Sequence, residues 1–91
     1  MHSATPQFWN RLRELPSEVQ RVAERNFGYL QDDPSHPSLR FRKVGQFWSA
    51  RVGLDHRALA VADGDGFIWV WVGAHDDYER MIGSSRRPLQ S

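Results

Sequence analysis

Phe67-Ile68-Trp69-Val70-Trp71-Val72 is an unbroken apolar run, and Gly73-Ala74 then releases His75-Asp76-Asp77-Tyr78-Glu79-Arg80. Six bulky residues in a row, β-branched or aromatic, suit a strand covered on both faces. A strand that ends in glycine and leads into a polar helical segment sets ionisable groups at the rim of a sheet. The run also makes Trp69 and Trp71 neighbours of Phe67 on one strand face by period two. Tryptophans at such spacing, Trp48 included, are core before they are a stacking platform. If that face is the open one, it needs a partner to cover it.

Upstream of the run, Asp63-Gly64-Asp65-Gly66 is a hairpin turn. It joins the run to a strand over Arg57 to Ala62. Phe47 to Val52 alternates, with Trp48, Ala50 and Val52 on one face and Phe47, Ser49 and Arg51 on the other. Gly45-Gln46 separates it from a strand beginning at Leu39, where Leu39 and Phe41 oppose Arg40 and Arg42. Short turns between successive strands imply an antiparallel meander. Before Leu39 the period is helical. Thr5-Pro6 is a start signal, with Phe8, Trp9, Leu12 and Leu15 following at helical spacing until Pro16. Ser17 to Gln20 reads as a capping box for a second helix, running to Asp32 with Val19, Val22, Ala23, Phe27 and Leu30 on one stripe. Asp32 to Pro37 is a loop. Asp76 caps a last short helix that Gly83 ends, and residues 84–91 form a frayed, disordered tail. The expectation is one α+β domain over 1–83: a four-stranded antiparallel meander, a helix hairpin on one face and a short C-terminal helix.

Ninety-one residues make one small domain, and eleven aromatic side chains supply a dense core. The absence of cysteine excludes a disulfide framework and a thiolate metal site. No apolar run nears the roughly 18 residues of a membrane span, and the first residues lack the plan of a secretion signal. A cytoplasmic protein without membrane contact is expected. Twelve basic against eleven acidic residues give a net charge of +1, too little alone to argue for nucleic acid. Eleven of the twelve are arginine, the residue whose planar fork suits phosphate. GC-rich coding accounts for that bias equally well. His2, His36, His56 and His75 have no metal-ligand spacing, so neither metal nor cofactor is expected.

Five stretches together resemble the RelE/ParE superfamily of toxins from bacterial type II toxin–antitoxin systems. They are Leu15-Pro16-Ser17-Glu18-Val19-Gln20, Asp33-Pro34-Ser35-His36-Pro37-Ser38-Leu39, Trp48-Ser49-Ala50-Arg51-Val52, Asp55-His56-Arg57-Ala58-Leu59 and Val72-Gly73-Ala74-His75-Asp76-Asp77-Tyr78. They stand in the family's order across residues 7 to 82. Members usually open with a strand before the first helix. Only His2 to Thr5 is available for it here, so that strand is very short or missing. The resemblance implies two helices on one face of a small sheet and an open concave face opposite. It implies, in the favoured RelE branch, metal-free cleavage of ribosome-bound mRNA by attack of the 2′-hydroxyl, and a cognate antitoxin as partner. The ParE branch instead inhibits DNA gyrase without nuclease chemistry. A degenerate member would only bind its antitoxin.

Metal-free RNA cleavage needs proton transfer and cations to hold the phosphate. His75 is the candidate acid or base, because imidazole changes charge near neutral pH. Its alternative is a surface histidine that caps a turn. Arg57 matches the family's arginine after the second turn and is assigned to the phosphate with Arg40 and Arg42. Lys43, Arg51 and Arg80 are further phosphate candidates. Arg51 is equally suited to pair with Asp63 or Glu79, and the length of the 53–56 turn decides whether Arg51 or Arg57 shares a face with Arg40. Tyr78 is assigned to orienting the substrate, or equally to packing with Met81 and Ile82. Asp76 and Asp77 work against an anionic ligand.

Overall fold

The computed structural model describes residues 2–33 and 35–86. The elements are β1 (His2–Ala4), α1 (Pro6–Arg13), α2 (Ser17–Asp32), β2 (Arg42–Val44), β3 (Phe47–Val52), β4 (His56–Asp63), β5 (Gly66–Ala74) and α3 (His75–Arg86). The sheet order is β1-β5-β4-β3-β2. The last four strands are the expected antiparallel meander. The sheet nevertheless has five strands and is mixed, because β1 pairs in parallel with β5. His2-Ser3-Ala4 has no alternation to announce it. Tertiary partners hold it: Thr5 N–H donates to Trp69 O at 3.0 Å, and Trp69 Nε1 donates to His2 Nδ1 at 3.0 Å.

Thr5 caps α1 as its sequence predicts, accepting from Phe8 N–H at 3.1 Å. The capping box expected at Ser17 does not form. Pro16 holds the extended backbone of the cap position, so Ser17 is already inside α2. Gln20 turns back instead and donates to Leu15 O at 2.9 Å, tying α2 to the end of α1. The stripe of α2 then packs with Phe8 and Leu12 on Ala50, Val52, Ala58, Ala60, Trp69 and Val72. This layer is the main core.

A bulge in β5 alters the tryptophan reading. Leu59 pairs with Trp71 while Ala60 pairs with Trp69, which leaves Val70 as the extra residue. Alternation restarts there. Phe67 and Trp69 face the helix hairpin, whereas Trp71 faces the opposite side and packs with Val44, Leu59, Tyr78 and Ile82. The shared face expected for Trp69 and Trp71 is therefore split between the two cores. The opposite face is also not wholly open, since α3 lies over half of it.

Gly83 does not end α3, which continues to Arg86. A helical glycine costs about 1 kcal/mol relative to alanine, a bias rather than a stop. Residues 84–86 are thus helical, and the rest of the expected tail, 87–91, lies outside the described residues. At the other end β2 begins at Arg42 rather than Leu39. Arg40 has φ +45°, alone in positive φ among the described non-glycine residues. The strand alternation expected to pair Arg40 with Arg42 therefore does not reach it.

Candidate nucleic-acid interface

The half of the sheet that α3 leaves uncovered carries an open cleft of about 480 Å3. Arg40, Arg51, Arg57 and His75 line it, with Leu54, Asp55, Ala74 and Asp76. Each reaches it for a local reason. Arg51 and Arg57 are register partners on β3 and β4, so their side chains leave the same face. That answers the question the turn length left open: both share the wall with Arg40. Arg40 arrives from the segment before β2 through its left-handed backbone, a conformation that costs about 1–3 kcal/mol in a non-glycine residue and clusters at functional sites. Leu39 fixes that segment, since its carbonyl accepts from Arg51 N–H at 2.6 Å. His75 opens α3, and its N–H donates to Asp55 O at 2.8 Å. This bond ties the β3–β4 turn to the β5–α3 junction.

Gly73 lies opposite Arg57 in the register. A Cβ there would come within 2.6 Å of the Trp71 ring. The absent side chain lets that ring lie across the strand, where the Arg11 guanidinium sits 5.1 Å from the ring centre and Arg11 Nε donates to Val72 O at 2.9 Å.

Electrostatics distinguishes the cleft. Arg57 lies over the Tyr78 ring, 5.3 Å from its centre. Burial first, then the charges of Arg51, Arg42 and Arg40, lower the Arg57 guanidinium from its ordinary value, and Tyr78 pulls the other way. It stays protonated at any working pH, so the lowering records a guanidinium partly withdrawn from water beside three like charges. Among the described residues none of these four forms an ion pair with a carboxylate; the pairs present are His75–Glu79 and Arg80–Asp77. Arg57 Nη1 is buried without a hydrogen-bond partner. Arg51 Nε donates to Gly53 O at 3.1 Å rather than pairing with Asp63 or Glu79. The His75 Nε2 atom lies 3.3 Å from Glu79 Oε2, one helical turn on, and the imidazole is 41% exposed.

Not every candidate converges. Arg42 is exposed and opposes Ser49, near enough for its charge to act on Arg57 but outside the cleft wall. Lys43 opposes Trp48 and so leaves the other face. Arg80 pairs with Asp77 on the exposed side of α3. Tyr78 is 1% exposed and sealed beneath Arg57, so its ring offers no face to a base; of its two readings, packing is the one observed. The sequence reading passed over Asn26, a buried residue whose Nδ2 donates to Arg51 O at 2.9 Å. A readable signal existed: Asn26 is a polar residue within the α2 stripe, one turn from both Val22 and Leu30.

The arrangement is a small α+β protein with a mixed sheet, helices on both faces and an arginine-lined cleft beside the third helix. Solved structures of similar fold include chains of antitoxin–toxin complexes. The chain superposes on a chain of the RelB–RelE antitoxin–toxin complex of Methanococcus jannaschii with a TM-score of 0.68, at 17% identity over 86% of this chain and 95% of that one. It superposes on YafQ of Escherichia coli with a TM-score of 0.68, at 9% identity over 86% and 96%. The RelBE2 complex of Mycobacterium tuberculosis gives 0.59, at 24% identity over 82% and 90%. No family model and no curated protein matches the sequence itself. The fold is that of the RelE-like toxins.

Proposed function

We propose that this chain is the toxin of a type II toxin–antitoxin pair, a cytoplasmic endoribonuclease that cuts ribosome-bound mRNA without a metal and is neutralised by a cognate antitoxin. The observation that carries the proposal is the convergence of Arg40, Arg51, Arg57 and His75 on one cleft. The likeness in fold to RelE and YafQ, and the antitoxin complexes among those relatives, support it.

The chemistry follows from the residues. A carboxylate beside Nε2 of His75 favours hydrogen on that nitrogen and leaves Nδ1 as the base. Nδ1 takes the proton of the ribose 2′-hydroxyl, the 2′-oxygen bonds to phosphorus, and the bond to the 5′-oxygen breaks. A 2′,3′-cyclic phosphate and a protonated 5′-hydroxyl result, the latter proton coming from imidazolium or water. The guanidinium groups hold the phosphate as its charge grows. Tyr78 acts indirectly, as the surface on which Arg57 rests.

One feature of the cleft favours a second reading, a member that binds antitoxin and cuts nothing: Asp55 and Asp76 share the wall with the arginines and oppose an anion. Induction of the protein followed by mapping of mRNA ends separates the readings. Cuts inside codons on ribosomes, abolished by His75→Ala in a folded variant, are expected. Intact mRNA with trapped gyrase–DNA breaks would move the protein to the gyrase-inhibiting branch, and growth without arrest would leave the non-cutting one.

A further inference from the structure

The arginine cleft does not stop at Arg51. A second open depression, of about 330 Å3, begins there, and Arg51 and Leu54 belong to both walls. Its other side is α2, which contributes Arg25, Asn26 and Tyr29. The two depressions differ in charge. Asp55 and Asp76 line the first, whereas among the described residues no carboxylate lines the second. Arg25 is exposed and, among the described residues, forms no ion pair with a carboxylate. Tyr29 is backed by His36, the rings parallel within 6° at 4.0 Å, so the phenol ring is held rather than free to swing. Leu54, 81% exposed, forms an apolar ridge between the depressions. The bond from Asn26 to Arg51 O joins α2 to β3, and the two walls are fixed to one another through it.

We infer that the two depressions form one track for single-stranded RNA, with the cleaved phosphate at Arg57 and His75 and the adjoining nucleotide on α2. That nucleotide sets its phosphate between Arg51 and Arg25 and its base against Leu54 and the Tyr29 ring. A cationic groove interleaved with an aromatic face is the combination that follows a nucleic-acid strand without reading its sequence. The Asn26 amide, the group best suited to a base edge, already donates to Arg51 O. Recognition at this position is therefore stacking and charge, and purines are favoured over pyrimidines by ring area alone. The inference rests on the RNA-cleaving reading above.

The test is a pair of cycles in single-turnover cleavage of mRNA on ribosomes. In the first, an abasic nucleotide is placed on each side of the cleaved phosphate in turn and combined with Tyr29→Leu. On one side the abasic substitution is expected to slow the wild-type protein about tenfold beyond its effect on the variant, because Tyr29→Leu has already removed the stacking that the abasic site removes. In the second, a neutral methylphosphonate at the flanking phosphate is combined with Arg25→Ala, an exposed site where folding is not at stake. The methylphosphonate penalty is expected to vanish in the variant. Penalties that persist undiminished in both variants overturn the track and leave the cleft chemistry standing. A wild-type protein that cuts no ribosome-bound mRNA ends both. Should Tyr29→Leu unfold, the Arg25 cycle alone decides.

Discussion

The two faces of this sheet are built to different standards. The face under α1 and α2 is an apolar layer in which buried polar groups are satisfied: Asn26 donates to Arg51 O, and Trp69 Nε1 donates to His2. The face under α3 is half core and half cleft, and it holds Ser49 Oγ, Arg57 Nη1 and Tyr78 OH buried without partners. Each orphaned polar atom costs about 1–3 kcal/mol. Local consistency on one side and unmet hydrogen-bonding capacity on the other is the pattern expected when one face holds the fold and the other does the work.

The sharpest way to break that contrast is to damage each face and ask what is lost. Trp69→Ala removes the largest fully buried side chain of the satisfied face and is expected to cost about 3–5 kcal/mol in urea unfolding. Activity should fall only as the folded fraction falls. His75→Ala should do the reverse, lowering cleavage about 10²–10³-fold in a protein whose unfolding midpoint is unchanged. A comparable loss of stability in the histidine variant would mean that the cleft is structural.

The orphaned groups make a prediction of opposite sign. Arg57→Met keeps a long side chain over Tyr78 and removes the buried unpaired N–H and the crowding with Arg51, Arg42 and Arg40. It should raise stability by about 1 kcal/mol while abolishing cleavage. Tyr78→Phe should likewise be neutral or stabilising by up to about 1 kcal/mol, because the deleted hydroxyl has no partner. A clear loss of stability would reveal a bonded hydroxyl and return Tyr78 to the chemistry.

The smallest effect belongs to His2. Burial, then the charge of the chain's amino group, lowers its pKa from the usual 6.5. The unfolded chain thus binds the proton more readily, so the contribution of His2 is complete above about that usual value and is lost as pH falls through the lowered folded one. Stability should decline as pH falls below about 6.5. Replacing His2 with Gln, which cannot titrate, should flatten that part of the profile. An unchanged slope would mean that another group carries it.

Much of this was legible in the residues. Thr5-Pro6 named the start of α1 because capping is local chemistry, and the meander from β2 to β5 could be read because turn residues and period-two alternation are properties of adjacent positions. Arg57 is nominated by the resemblance to the RelE/ParE toxins, and His75 by that resemblance together with its place at a strand end. What failed was set by partners far along the chain. β1 exists because Trp69 and Phe67 receive it. The separation of Trp69 from Trp71 depends on a bulge that the pairing of β4 with β5 creates. Gly83 is passed because a helix stop is only a bias.

The sequence by itself determined the kinds of element, the apolar stripes and the store of arginine, since these follow from side-chain chemistry and spacing. Only the tertiary structure decided which arginines meet. Arg40 enters the cleft through one backbone angle, Arg51 and Arg57 through strand register, and Lys43 leaves it through the same register. A shift of one residue turns every side chain of a strand to the other face, and no local pattern in this chain carries that information.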